Sequence, residues 1–189
     1  MILATRNPHK LVEFRRLLGE DGLAPLPDHV ELGPELGETF ADNALGKARV
    51  AAGATGEVVI ADDSGICAAA LGGGPGVRSA RFAGEGASDE ANLSLLIERV
   101  PPGSALAYVC VIAYLDPLAG VERLFEGRCE GIMAAARRGS GGFGYDPVFV
   151  PEPGDGRTMA QLEPDEKDAV SHRGEALRAL EAWLHGRAR

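Results

Sequence analysis

Apolar residues fall into two kinds of spacing along this chain. Ile2-Leu3-Ala4-Thr5 is a short unbroken run that predicts a buried strand, and Leu11, Phe14, Leu17 and Leu18 then recur at helical spacing up to Gly19. Asn7 followed by Pro8 predicts an N-cap and a first helical residue. Thr39 with Asp42 approximates a capping box, and that helix is expected to run to about Gly53. Glu57 to Ala61 is a β-branched run that predicts a buried strand ending at Asp62-Asp63-Ser64-Gly65, and Leu71 to Pro75 is a Gly-rich turn. Ser88 caps a helix with Asp89 and Glu90 in its first turn, and Pro101-Pro102 stops it. Ala105–Leu115 and Val121–Met133 read as two long strands joined by an Asp116-Pro117 turn, with a third over Tyr145–Val150. A closing helix from Ser171 to His185 carries Ala176, Leu177, Leu180 and Leu184 on one face, with Trp183 as packing. No repeat or linker interrupts the 189 residues, so one α/β domain over residues 1–189 is expected.

Composition narrows the functions. Hydrophobic residues are 45% and charged residues 25% of the chain, proportions that exclude a disordered tail, a collagen-like repeat and a coiled coil. A net charge of −9 argues against a nucleic-acid or anionic-membrane partner, because both need a basic face. Cys67, Cys110 and Cys129 lack zinc or disulfide spacing, and no signal peptide or membrane-length apolar run is read, so a reducing cytoplasm is expected. Of 19 basic residues only Lys10, Lys47 and Lys167 are lysine, and all three lie in segments with chemical character.

Those segments carry alternatives. Thr5-Arg6-Asn7-Pro8-His9-Lys10 between strand and helix is either a phosphate cradle built on a helix start or a plain cap. Asp62 and Asp63 at a strand end are either a ligand site, with one carboxylate turned to the cleft and its neighbour holding the loop, or an Asp-rich turn. Glu35 and Glu38 stand ready as a second oxygen ligand, since Mg²⁺ takes one or two carboxylates plus substrate phosphates. Gly139-Ser140-Gly141-Gly142-Phe143-Gly144 matches the dinucleotide-binding spacing but precedes a strand, so it is expected to be a loop that approaches a ligand. No Walker A motif is present, because Gly46-Lys47 is followed by Ala48. An Arg173 at a helix start calls for an anionic or hydrogen-bonding partner.

Taken together, these blocks resemble the inosine triphosphate pyrophosphatase family. The resemblance rests on Ala4–Lys10, Glu38–Ala44 with Lys47-Ala48, Ala61–Gly65, Leu71–Gly73 with Pro75–Val77, Ser79–Gly84, Gly142–Pro147, and Glu166-Lys167 with Ser171–Gly174, all in one order along the chain. It implies an elongated mixed β-sheet flanked by helices, two lobes with the active site in the cleft between them, and a homodimer. It implies Mg²⁺-dependent hydrolysis of ITP, dITP and XTP to the monophosphate and pyrophosphate. By the same resemblance Thr5, Arg6, Asn7, Pro8, His9 and Lys10 hold the triphosphate. Asp63 is general base and metal ligand, Glu35 is the other metal ligand, and Ser64 touches substrate. Phe143, Gly144, Tyr145, Asp146, Lys167, His172 and Arg173 form the nucleotide pocket, with His172 and Arg173 expected to aim donors at the base. Arg6, Asp42, Arg78 and Gln161 depart from the family's usual residues. A nucleotide sensor without catalysis is the rival class, and Asp62, Asp63 and Glu35 argue against it.

Overall fold

Neighbouring residues of a strand face opposite sides of a sheet, so a strand covered on both sides must be apolar throughout. That condition organises the computed structural model, which describes residues 1–19, 22–152 and 154–187. Its strands are β1 (Ile2–Leu3), β2 (Ala24–Pro25), β3 (Val59–Ala68), β4 (Ala105–Asp116), β5 (Val121–Met133) and β6 (Phe149–Pro151). They form a mixed sheet of six strands in the order β2-β1-β3-β4-β5-β6. β1 runs parallel to both β2 and β3, and β6 runs antiparallel to β5. The helices are α1 (Pro8–Leu18), α2 (Phe40–Thr55), α3 (Asp89–Arg99), α4 (Pro164–Val170) and α5 (His172–Arg187).

The chain divides into two compact units. The first comprises residues 1–63, 110–127 and 173–189, and the second residues 64–109 and 128–172. In the first unit the parity rule is explicit. Ile2, Ala4, Val59, Ala61, Val111 and Ala113 pack with Ala44, Ala48, Ala51 and Ala52 of α2. Their neighbours Leu3, Ile60, Cys110 and Ile112 pack with Phe14 of α1 and with Ala176, Leu177 and Leu180 of α5. The small side chains of α2 let it lie close against the strands. The second unit has its own core, in which Leu93, Leu96 and Val100 meet Ile66, Leu106, Met133, Val148 and Phe149.

Local signals hold where capping chemistry sets the boundary. The Asn7 side chain accepts from the His9 and Lys10 amides, Thr39 accepts from Asp42 N–H, and Ser88 accepts from Ala91 N–H. The Asp42 carboxylate accepts from the Thr39 hydroxyl, a variation on the expected box. Asp116 closes the β4–β5 turn by accepting from the Leu118 and Ala119 amides. Three expectations change. α2 continues two residues past Gly53, to Thr55. β3 passes through Asp62–Gly65 to Ala68 instead of stopping at Ala61, and Ser79 supplies Ile66 with a hydrogen bond through its Oγ. Tyr145–Val150 is not one strand: Asp146–Val148 forms a 3₁₀ turn, in keeping with Pro147, and only Phe149–Pro151 is extended. The sequence reading also passed over α4, a seven-residue helix capped by Glu163 and Glu166.

Candidate active site

Because Asp62 and Asp63 are adjacent within β3, parity sends their carboxylates to opposite faces. Asp62 joins the α1 and α5 face. There Lys10 pairs with Asp62 Oδ2 at 2.8 Å, Arg173 reaches the same oxygen at 3.4 Å, and the Cys110 thiol lies 3.9 Å from it. α1 presents Lys10 and Glu13 three residues apart on one side, and Glu13 takes the other arm of Arg173. Asp63 joins the α2 face. Asn43 donates to Asp63 Oδ2 at 2.9 Å, and Lys47 lies 3.8 Å from Oδ1 while bonding Glu35.

Opposite surroundings drive the two acids apart. Burial alone would favour neutral Asp62, but the charges of Lys10, Arg173 and Lys47 outweigh it and hold the carboxyl well below the ordinary range. Burial raises Asp63, and the nearby Glu35 charge adds to the rise, against the opposing pull of Lys47 and Asn43. Burial likewise opposes the charge on Lys47, but Asp62, Asp63 and Glu35 together push its pKa up. The two neighbouring carboxylates thus have opposite surroundings: Asp62 is the shared counter-ion of Lys10 and Arg173, and Asp63 is shifted towards its neutral form. Cys110, buried beside Asp62, has its thiol pushed up to about 12.

The second unit holds another cluster. Asp146, itself buried, accepts from Tyr108 Oη at 3.0 Å, from Lys167 Nζ at 2.7 Å and from the Phe143 amide at 3.0 Å. The Lys167 ammonium lies 5.0 Å from the centroid of the Phe143 ring. His172 stacks on Tyr108 with ring centroids 4.7 Å apart. The glycine loop is built around this carboxylate: Gly142 has φ +69°, and a Cβ there would sit 2.0 Å from Asp146 Oδ2.

A model of the Ham1 family matches residues 1–183 of the chain. The chain belongs to the Ham1 family. It is 45% identical to a dITP/XTP pyrophosphatase of Streptomyces coelicolor, over 95% of this chain and 94% of that protein. It is 48% identical to a dITP/XTP pyrophosphatase of Frankia alni, over 97% of this chain and 96% of that one. The solved structure of a HAM1 protein from Coxiella burnetii superposes with a TM-score of 0.84 at 39% identity, covering 98% of both chains.

Within this Ham1 chain several expected contacts have other employment. The α1 amides expected to point at phosphate already donate to Asn7, whose own N–H donates to Thr5 Oγ1. Pro8 and His9 are exposed on the same turn. Arg6 donates to the carbonyls of Leu26, Pro27 and Val30, so it ties down the segment after β2. Arg173 is 2% exposed and grips Glu13 and Asp62, which takes it away from the reading of a base. Tyr145 donates to the Ser79 carbonyl, fixing the loop before β6, while Ser64 and Gly144 remain partly exposed. Gln161 accepts from the Thr158 amide and so caps its own turn in place of an acidic role. Glu38 is exposed, and Glu35 is the acid that meets Lys47. The sequence reading missed Asn43, Glu13 and Tyr108. A charged Glu13 between Leu11 and Phe14, and a phenol inside the apolar run of β4, were the available signals.

The depressed acid yields a stability prediction. Unfolded Asp titrates near pH ~3.9, and its folded value is lower here. Stability from the charged form is therefore present above about pH 4 and drains as pH falls towards the folded value. Urea midpoints of the metal-free protein should fall most steeply below about pH 4, with a shallower dependence in Asp62→Asn. An unchanged pH profile in that variant would remove Asp62 from this role.

Proposed function

We propose that this chain hydrolyses the triphosphates of inosine, deoxyinosine and xanthosine to the monophosphate and pyrophosphate, using Mg²⁺. The reading is carried by likeness over almost the whole length to proteins named for that activity. The opposed environments of Asp62 and Asp63 support it.

The donor set fits a hard cation. Glu35 and Asp63 share the Lys47 ammonium, so an oxygen-ligand pair already faces one positive charge. Among the described residues no group of three or more His, Cys, Asp or Glu forms a complete metal cage. Mg²⁺ takes one or two carboxylates, the number that Glu35 and Asp63 offer, and fills its octahedron with water and substrate phosphates. Bound to Glu35 and Asp63, it would supply positive charge for the phosphate oxygens and for an attacking water.

The chain's own groups account for the rest. Asp63, oriented by the Asn43 amide at Oδ2, takes the proton of the attacking water. Lys10 and Lys47 neutralise charge on the departing pyrophosphate. Around them Glu13, Glu35, Asp62 and Asp63 stand against Lys10, Lys47 and Arg173, four acids against three cations. A triphosphate therefore needs an added cation to enter, which supports metal dependence. For the base, Phe143 supplies an apolar face, and Lys167 and His172 supply donors suited to a 6-oxo acceptor. Adenine would bring its 6-amino donor against them. The homodimer belongs to the same proposal.

Phosphorus NMR of the products identifies the bond broken. ITP with Mg²⁺ should give IMP and pyrophosphate. IDP and orthophosphate would overturn cleavage at the α-phosphate.

A further inference from the structure

We propose that Tyr108 is the positioning residue through which the second unit sets its preference among bases, an inference that rests on the functional reading above. β4 carries two buried phenols, Tyr108 and Tyr114, among Ala, Leu, Val, Cys and Ile; Tyr114 meets Trp183 edge-on, whereas Tyr108 lies in the Asp146 cluster. A buried tyrosine hydroxyl needs an acceptor. Here it reaches across to Asp146 Oδ1 at 3.0 Å.

Two described residues stack on the ring. Phe149 lies with its centroid 4.3 Å away at 30°, and His172 lies 4.7 Å away at 14°. The phenol thus touches both parts of the cluster that carry donors. Through its face it orients the His172 imidazole. Through its hydroxyl it takes one oxygen of Asp146, leaving the other for Lys167 and the Phe143 amide. With Oδ1 fixed by Tyr108, the carboxylate plane is fixed, and the Lys167 ammonium and Phe143 ring are held in one arrangement. Without the hydroxyl the carboxylate can turn about its last torsion, and both of those groups lose their reference. The described contacts of Tyr108 are with Asp146, Phe149 and His172, all in the second unit, so its effect should fall on base selection and substrate affinity rather than on turnover.

Two substitutions separate the two contacts. Tyr108→Phe keeps the ring and both stacks but removes the hydroxyl, whereas Tyr108→Leu removes the stacks as well. The experiment measures kcat and KM for ITP and ATP, with thermal midpoints, in the parent and both variants. Tyr108→Phe should raise KM for ITP about tenfold, the usual scale for a hydrogen bond to a charged group, and lower the ITP-over-ATP ratio by about as much. Its kcat should stay within about threefold. Tyr108→Leu should reduce the ratio further. If it does not fold, Tyr108→Phe decides the matter alone. A variant that loses thermal stability but keeps the parental ITP-over-ATP ratio overturns the proposal and leaves Tyr108 as core packing. A parent that releases no pyrophosphate from ITP, or treats ATP and ITP alike, fails before any variant is made. That result overturns the functional reading and this inference with it.

Discussion

Arg173→Ala should cost about 3–5 kcal/mol of folding stability, because removing one partner strands buried charge of the opposite sign. Arg173 is 2% exposed and holds Glu13 and Asp62, and its guanidinium lies 5.8 Å from the centre of the Phe14 ring. Against a typical total of about 5–15 kcal/mol this is a large fraction, and the melting temperature should drop on the order of 10 °C. Much of the loss comes from the stranded acids, so Glu13→Gln combined with Arg173→Met should recover part of it. That non-additivity is what a double-mutant cycle measures. A variant with parental stability that has lost only its preference for ITP over ATP would return Arg173 to the base-reading role expected from sequence.

Asp63→Asn should lower kcat by at least ~10²-fold, the ordinary worth of a positioned base, while the metal-free protein keeps its melting temperature within a few degrees. The sign follows from its surroundings. Because burial raises its folded-state pKa, the charged carboxylate opposes folding at neutral pH, and an isosteric amide does not remove a stabilising charge. Asp62→Asn should behave in the opposite sense, with a clear loss of stability, since Lys10 and Arg173 lose their common counter-ion. Equal losses of stability in the two variants would show that the neighbours act as one unit. Near-parental turnover in folded Asp63→Asn would remove it as the base.

What could be seen in the sequence divides along physical lines. Helix starts are visible because Asn7, Thr39 and Ser88 cap them by accepting from amides within three residues. β1 and β4 are visible because double burial demands an unbroken apolar run, whereas the two-residue β2 leaves no such signal. The end of β3 was not visible: two adjacent acids read as a turn, and only distant cations make them tolerable inside a strand. The α1 start is legible as a helix capped by Asn7, and of the two readings of that segment the cap is the one seen, with the His9 and Lys10 amides donating to Asn7. Arg173 at a helix start calls for an anionic partner. The partner is supplied by Glu13 and Asp62, the first of them 160 residues away in the chain, rather than by a substrate. Tyr108 stayed hidden because neither of the two tyrosines in β4 carries a sign of its acceptor in the sequence. Lys167 and Asp146 were each flagged, yet their pairing needed the fold to bring them together.

The most direct measurement is pyrophosphate release from ITP, XTP, GTP and ATP, each with and without Mg²⁺, reported as kcat/KM. The account predicts that ITP and XTP lead ATP by orders of magnitude, up to the roughly 10⁴-fold attainable when a site's polar groups are left unpaired by the wrong base, and that release stops without the metal. Comparable values for ATP and ITP, or full activity without a divalent cation, would contradict it.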